Sequence, residues 1–216
     1  TTGIQLFFNG PESFTPDDRY LLGKTPEYDN VFVAAGFNSI GIQSSGGAGK
    51  VLAEWIVKDH PPMDLWDVDI RRTFPFQSNQ KYLVNRTRET LGLLYAMHWP
   101  YRQYETSRGA RRSAIHDRLI DQGAVMGEVA GWERPNWFVR DNHSPTYSYS
   151  YGKQNWFEAC RQECLALKDK VALFDQSSYP VFYLEGNDAL TTLNYICANN
   201  IDVDTGKVVY TQWLNE

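Results

Sequence analysis

The sequence predicts a mixed α+β chain in three parts, with boundaries near residues 73 and 150. A β-branched run, a glycine-rich stretch and a helical pattern follow one another in residues 31–57, as in an α/β unit. A linker with two prolines and alternating acidic and apolar residues then occupies residues 59–74. After residue 150, amphipathic helical patterns alternate with a strand-like apolar run, which indicates a further part with both helices and strands.

Length and composition limit the class of protein. The chain has 216 residues, of which 42% are hydrophobic and 14% aromatic, so it can bury a sizeable core in one or two domains. No apolar run approaches the roughly 20 residues of a membrane helix, and the first residues lack the pattern of a signal peptide. The net charge of −5 argues against a general nucleic-acid binder. We therefore expect neither a nucleic acid nor a membrane as a partner.

The cysteines and acidic residues show no metal-ligand spacing. Cys160, Cys164 and Cys197 are an odd number without zinc spacing, so we expect free thiols in a reducing compartment. Asp202 and Asp204 lack the spacing and the closing glutamate of a calcium loop. The sequence therefore predicts no metal site.

The glycine-rich segment carries the strongest functional signal. Residues 31–35 predict a strand, and from Gly46 onward the apolar residues recur at helical spacing. Five glycines between Gly36 and Gly49 leave the joining backbone almost bare, so backbone N–H groups at the helix start are open to a phosphate, carboxylate or other electron-rich oxygen. A tight strand-to-helix turn, with glycines for packing, explains the pattern equally well, because the P-loop and GxGxxG motifs are both absent.

The other elements are predicted from periodicity and from turn residues. They are a strand over 3–9, a helix from Gln80 to about His98 that Pro100 ends, a helix over 155–168, a strand over 180–186, a helix over 188–198 and a strand over 206–215. The last strand has no partner after it, and an α/β cofactor domain needs strands before residue 1. We therefore expect an internal segment of a longer protein.

Two polar and aromatic stretches have more than one interpretation. Residues 101–119 contain five arginines, which could clamp a phosphate or carboxylate or, more commonly, form a patch in contact with solvent or with another domain; these are Arg102, Arg108, Arg111, Arg112 and Arg118. The aromatic residues of GEVAGWERPNWF and YSYGKQNWF could form a stacking site or, more commonly, an irregular packing surface between domains.

Long motifs in a fixed order resemble one enzyme family. FNGPESFTPDDRYLLGKTPEYDNVFVAAGFNSIGIQSSGGAGKVLAEWIV and PPMDLWDVDIRR resemble the end of the FAD-binding domain of the dimethylglycine and sarcosine dehydrogenase family. RGARRSAIHDRL, GEVAGWERPNWF and YGKQNWFEA resemble its central domain, and VALFDQSSYPVFYLEGNDAL resembles the opening of its folate-binding aminomethyltransferase domain, which is related to the glycine-cleavage T-protein. The resemblance implies domains over residues 1–72, 73–150 and 151–216.

The resemblance also implies a function for the parent protein. It would oxidise the N-methyl group of sarcosine or dimethylglycine by hydride transfer to FAD and pass the one-carbon unit to tetrahydrofolate. An electron-transfer flavoprotein or oxygen would reoxidise the flavin. The family segment that lies against the isoalloxazine ring is matched by Gly36, Asn38, Ser39, Ile40, Gly41 and Ile42. Their backbone N–H groups would stabilise negative charge on the reduced flavin.

Other family features do not carry over. The dinucleotide fingerprint, the flavin-linking histidine and the substrate-oxidising residues of the family would lie before Thr1, and the acidic residue that assists folate chemistry would lie after Glu216. We therefore expect no catalytic residue here and no oxidase chemistry from these 216 residues alone. A catalytically silent relative that acts by protein contact, like the regulatory subunit of pyruvate dehydrogenase phosphatase, is the alternative. The resemblance implies the mitochondrial matrix for a eukaryotic source and the cytoplasm for a bacterial one.

Overall fold

The computed structural model describes residues 2–97, 102–140 and 144–214. Contacts group these residues into two compact units, Thr1–Ser178 and Tyr179–Glu216. The first unit contains the strands β1 (Leu21–Lys24), β2 (Phe32–Ala35), β3 (Ala124–Val129) and β4 (Trp132–Phe138) and the helices α1 (Gly41–Lys58), α2 (Gln80–Leu93), α3 (His116–Asp121) and α4 (Phe157–Asp169). The second unit contains helix α5 (Ala189–Ile196). Helices and strands are therefore mixed, as predicted.

The first hairpin packs against helix α1. Strands β1 and β2 are antiparallel, and Leu22 lies opposite Ala34. Trp55 of α1 is only 2% exposed, and it contacts Phe32 edge to face with 6.2 Å between ring centroids. Gly23 has a φ of +109°, and a Cβ there would lie 2.4 Å from Cζ3 of Trp55. The indole therefore covers the hairpin at a point where only glycine leaves room for it.

Helix α2 connects the two hairpins. The side chain of Asn79 accepts a hydrogen bond of 3.1 Å from the backbone N–H of Tyr82 and so caps the helix. From the middle of the helix, Arg86 reaches Glu128 of β3 at 2.5 Å. The helix ends at Leu93, earlier than the predicted end near His98, and both His98 and Pro100 lie outside the described residues.

The second hairpin is the larger one. Strands β3 and β4 are antiparallel, with a register shift between Val125 and Met126. The turn residues Ala130 and Gly131 both have positive φ, which suits a tight two-residue hairpin. The prediction of an irregular aromatic surface at GEVAGWERPNWF was wrong, because this stretch forms the end of β3, the turn and β4. Trp137 instead packs in the core with the buried side of β3.

The glycine segment is more helical than predicted. Helix α1 begins at Gly41, not near Gly46, so four of the five glycines lie inside the helix. The expected loop is thus reduced to the residues between Ala35 and Gly41. Glycine lowers helix propensity by about 1 kcal/mol per residue, but the contacts of Ala48 and Trp55 with the core outweigh this cost.

Three predicted strands are not formed. Residues 3–9, 180–186 and 207–214 carry no named strand, and their large apolar side chains are mostly exposed. In the second unit, pairing is limited to one bridge between Cys197 and Trp213 beside α5. A β-branched, apolar run forms a strand only when a neighbouring backbone pairs with it, and in the described ranges the single bridge at Trp213 is the only such pairing of these residues. The domain boundaries near residues 73 and 150 stay a prediction.

The described ranges lack two classes of feature. None of the helices in these ranges is both long and apolar enough to cross a membrane. In the same ranges, no group of three or more His, Cys, Asp or Glu side chains could hold a metal ion. Cys160, Cys164 and Cys197 are free thiols.

Candidate functional site

The turn between β2 and α1 is sharply bent. Gly36, Asn38 and Ser39 all have positive φ, at 67°, 49° and 64°. Two of these three residues are not glycine, and side chains rarely adopt this conformation unless the surroundings impose it. The turn redirects the chain from the hairpin into α1 within five residues, and it places Ile40 as the residue preceding the helix.

Asn38 holds this turn in place. Its side chain is fully buried, with 0% exposure. The Oδ1 atom accepts a 2.8 Å hydrogen bond from the backbone N–H of Thr15, and the amide nitrogen donates to the Gly36 carbonyl at 2.7 Å and to the Thr15 hydroxyl at 3.0 Å. Its backbone N–H donates to the Ser13 carbonyl at 3.2 Å. Asn38 is therefore a positioning residue within the fold, and its side chain is not open to a ligand.

The start of α1 faces outward. No side chain caps it, and its first turn has no acidic residue. The N–H groups of Gly41, Ile42 and Gln43 have no acceptor within the helix, because the first three residues of any α-helix lack one. Ile42 is 99% exposed beside them. The arrangement thus offers an apolar surface next to N–H donors and the positive end of an 18-residue helix, which suits a flat ligand that carries negative charge.

A second feature, a cavity of about 750 Å³, lies near the second hairpin. Its lining includes the charged or ionisable residues Glu105, Arg108, Arg112, His116, Glu133 and Tyr147. The apolar part of the lining comes from Ile120, Val125, Met126 and Val139. A cavity of this size with mixed lining is typical of small-molecule sites.

The predicted arginine clamp is largely taken up by internal partners. Arg108 forms a two-point ion pair with Glu133, with nitrogen–oxygen distances of 2.9 and 2.5 Å. The Arg111 guanidinium lies over the Phe74 and Trp132 rings at 4.7 and 4.5 Å from their centroids. Arg112 is exposed and makes no ion pair within the described ranges. Arg108 and Arg111 thus have partners within the fold and form neither a ligand clamp nor a solvated patch, while Arg112 stays open to a ligand.

Electrostatics in this region are set by burial and by ion pairing. Burial alone would raise the pKa of Glu133, but hydrogen bonds from Arg108 and from the Gly109 N–H outweigh burial and lower it. The Glu133 carboxylate in turn raises the pKa of Arg108. Burial raises the pKa of Tyr104 to about 12, so its hydroxyl stays protonated at neutral pH.

His116 was not predicted as a site residue. It is the first residue of α3, only 8% of it is exposed, and it lines the cavity. Its Nδ1 atom is buried and has no hydrogen-bond partner in the described structure. A single histidine in the sequence does not indicate a binding site. Only the packing of α3 against β3 shows that His116 is part of the cavity lining.

Family models match most of the chain. The FAD dependent oxidoreductase central domain matches residues 58–113, and the GCVT N-terminal domain matches residues 115–216. The order of these two domains defines a class of flavin-linked oxidoreductases that are joined to an aminomethyltransferase-like domain.

Curated relatives match the whole chain. A 4-methylaminobutanoate oxidase (formaldehyde-forming) of Paenarthrobacter nicotinovorans is 48% identical over 216 residues, which is 100% of this chain and 26% of the relative. The mitochondrial pyruvate dehydrogenase phosphatase regulatory subunit of Mus musculus is 38% identical over 221 residues, 100% of this chain and 25% of the relative. The mitochondrial sarcosine dehydrogenase of Mus musculus is 32% identical over 240 residues, 100% of this chain and 26% of the relative.

These matches confirm that the chain is related to the dimethylglycine and sarcosine dehydrogenase family. The chain spans about a quarter of the length of the curated relatives that it matches.

Proposed function

We propose that the chain is part of an FAD-dependent oxidoreductase that oxidatively demethylates an N-methyl amine such as sarcosine or dimethylglycine. The observation that carries this proposal is the 48% identity, along the entire chain, to an oxidase whose name specifies an N-methyl amino acid and formaldehyde. The match to an FAD dependent oxidoreductase central domain supports a flavin. The small-molecule substrate would be an amino acid with a methyl group on nitrogen.

The proposed flavin contact is the start of α1. Its residues are those of the sequence prediction, namely Gly36, Asn38, Ser39, Ile40, Gly41 and Ile42. The geometry fits a flavin ring, because the exposed Ile42 side chain offers an apolar contact and the adjoining N–H groups lack acceptors within the helix. Bound FAD would supply hydride acceptance from the N-methyl carbon. The N–H groups of Gly41 and Ile42 would favour negative charge on the pyrimidine side of the ring.

The fates of the electrons and of the one-carbon unit are part of the same proposal. We infer that an electron-transfer flavoprotein or oxygen accepts the electrons. The match of residues 115–216 to a GCVT N-terminal domain supports transfer of the one-carbon unit to tetrahydrofolate. The mitochondrial relatives support the mitochondrial matrix for a eukaryotic source, and the cytoplasm is proposed for a bacterial one.

The test uses the longest natural form of the protein, loaded with FAD. Sarcosine, dimethylglycine and 4-methylaminobutanoate are added separately without oxygen, and bleaching of the flavin absorption is followed. One of them is expected to bleach the flavin and to yield formaldehyde, with less free formaldehyde when tetrahydrofolate is present. The proposal is wrong if the flavin is bound but no N-methyl amine bleaches it.

A second candidate is a catalytically silent protein that acts by contact with a partner. The 38% identity to a pyruvate dehydrogenase phosphatase regulatory subunit favours it. Many large apolar side chains of residues 181–184 and 208–214 are exposed, which suits a contact surface. Protein that is folded but retains no flavin absorption after incubation with FAD would support this candidate over the oxidoreductase.

A further inference from the structure

We propose that the cavity near the second hairpin binds a small organic carboxylate, with Arg112 and His116 as the contacts for its oxygens. This site is separate from the proposed flavin contact at the start of α1. It also involves none of the six residues predicted from the sequence.

The charges around the cavity leave one guanidinium available. Glu133 accepts hydrogen bonds from Arg108 and also from the backbone N–H of Gly109 at 2.6 Å, so the Arg108 charge is already balanced. Arg112 has no such partner in the ranges that the structure describes. A Cβ added at Gly109 would lie only 2.6 Å from Nη2 of Arg112. Because glycine has no side chain, the guanidinium can lie against the loop at this point.

His116 supplies an unsatisfied polar atom. A buried nitrogen without a hydrogen bond is unfavourable, and most buried polar groups avoid this cost. The His116 ring is part of the cavity lining, and a rotation of the ring toward the cavity would bring Nδ1–H to a ligand oxygen and remove the cost. The Tyr147 hydroxyl also lines the cavity, and it already accepts a 2.9 Å hydrogen bond from Asn136. It is therefore held in a fixed position beside the site.

The same surroundings favour a carboxylate over a phosphate. Glu105 is in the lining and the Arg108–Glu133 pair is already balanced, so a dianion would meet an additional negative charge and only one free guanidinium. A carboxylate carries a single charge and matches the planar guanidinium fork. The lining from Ile120, Val125, Met126 and Val139 would contact an apolar part of the ligand. The ligand class is therefore a monocarboxylate with an apolar body.

Benzoate is the probe, because it combines a carboxylate with an apolar ring. Calorimetry on the longest natural form of the protein measures its binding, with benzamide as the uncharged analogue and inorganic phosphate as the alternative anion. We expect benzoate to bind more tightly than either. In a sample with ¹³C-labelled histidine, benzoate is expected to shift the ring signal that disappears in the His116→Phe variant.

Two arginine variants make the test specific. Arg112→Gln is expected to weaken benzoate binding by about tenfold or more, since it removes a charge-assisted hydrogen bond to the carboxylate. Arg118→Gln, an exposed arginine on α3 outside the cavity lining, is expected to bind benzoate as the unmodified protein does. Absence of benzoate binding, equal weakening by both variants, or tighter binding of phosphate would each overturn the proposal. Flavin absorption and its bleaching are followed separately in the unmodified protein, so failure of this proposal is distinguishable from failure of the oxidoreductase proposal.

Discussion

Arg86 of α2 and Glu128 of β3 form an ion pair at 2.5 Å that is almost completely withdrawn from solvent. The Arg86 side chain is 1% exposed, lies 4.2 Å from the centroid of the Tyr104 ring, and donates to the Thr106 carbonyl at 2.7 Å. It therefore connects the helix to the loop before α3 as well as to the second hairpin. Because the pair is buried, the effect of a substitution on stability depends on whether it removes one of the two charges or both of them.

We expect Arg86→Leu to lower the free energy of unfolding by about 3–5 kcal/mol, because Glu128 would be left buried and unpaired. Adding Glu128→Leu is expected to restore most of the loss, since two apolar side chains leave no buried charge behind. Urea unfolding of both variants measures the difference. A double variant as unstable as Arg86→Leu alone would show that the carbonyl and ring contacts of Arg86 matter more than the ion pair.

The Arg108–Glu133 pair predicts an acid-sensitive contribution to stability. The pKa of Glu133 is lowered from its ordinary value of 4.5 although burial opposes this shift. The folded protein thus holds this carboxylate ionised more strongly than the unfolded chain does. Its contribution to stability is complete above about pH 4.5 and is lost as the pH falls through the lower, folded-state pKa. Glu133→Gln is expected to be less stable at neutral pH and to lose less stability on acidification.

Urea unfolding at a series of pH values from neutral to acid measures this change. Glu27→Gln serves as the control, because it removes a carboxylate from an exposed loop position. If Glu27→Gln and Glu133→Gln change the pH dependence equally, the effect comes from overall charge rather than from the ion pair.

Asn38 and Ser39 form a matched pair for testing the turn before α1. Both have positive φ, so alanine meets a similar backbone cost at either position. Asn38→Ala also removes three buried side-chain hydrogen bonds and is expected to lower the free energy of unfolding by about 2–3 kcal/mol more than Ser39→Ala does. Thermal or urea unfolding checks the difference. Equal losses would mean that the turn is held by its backbone alone.

The helices were easier to predict than the strands. Helix α1 was predicted because Ala48, Val51, Leu52, Trp55 and Ile56 recur at helical spacing. The first four side chains are buried or half-buried, whereas Ile56 is exposed. The run from Val181 to Leu184 has the composition of a strand, but all four side chains are exposed and no backbone pairs with them. Periodicity reports which face of an element packs, whereas strand formation also needs a partner that is distant in the sequence.

The sites differ in the same way. The start of α1 could be located from glycines that are neighbours in the sequence. The roles of its residues could not be predicted from the sequence, because Asn38 is held by a hydrogen bond with Thr15, which lies 23 residues earlier in the chain. The cavity was missed because His116, Glu133 and Tyr147 are brought together only by the second hairpin and the segment after it. Arg108 was noticed, but its pairing with Glu133 depends on a hairpin that the sequence analysis did not predict.

A charge placed at the proposed flavin contact would change the reduction potential of the flavin without unfolding the protein. Ile42→Asp places a carboxylate in the first turn of α1, where it interacts favourably with the helix dipole and is expected to stabilise the helix by about 0.3–1 kcal/mol. If the reduced, negatively charged flavin lies there, the same carboxylate repels it. We then expect the two-electron reduction potential of the bound flavin to fall by about 10–30 mV, which corresponds to about 0.5–1.4 kcal/mol.

Val57→Asp is the matched control for this prediction. Val57 is 84% exposed in the last turn of the same helix, about 15 residues and roughly 22 Å from Ile42 along the helix. An aspartate there opposes the helix dipole and is expected to lower stability slightly, by about 0.3–1 kcal/mol, without changing the flavin potential. The two variants therefore shift stability in opposite directions, so a fall in potential confined to Ile42→Asp cannot come from unfolding. Equal potentials in both variants would place the flavin away from the start of α1.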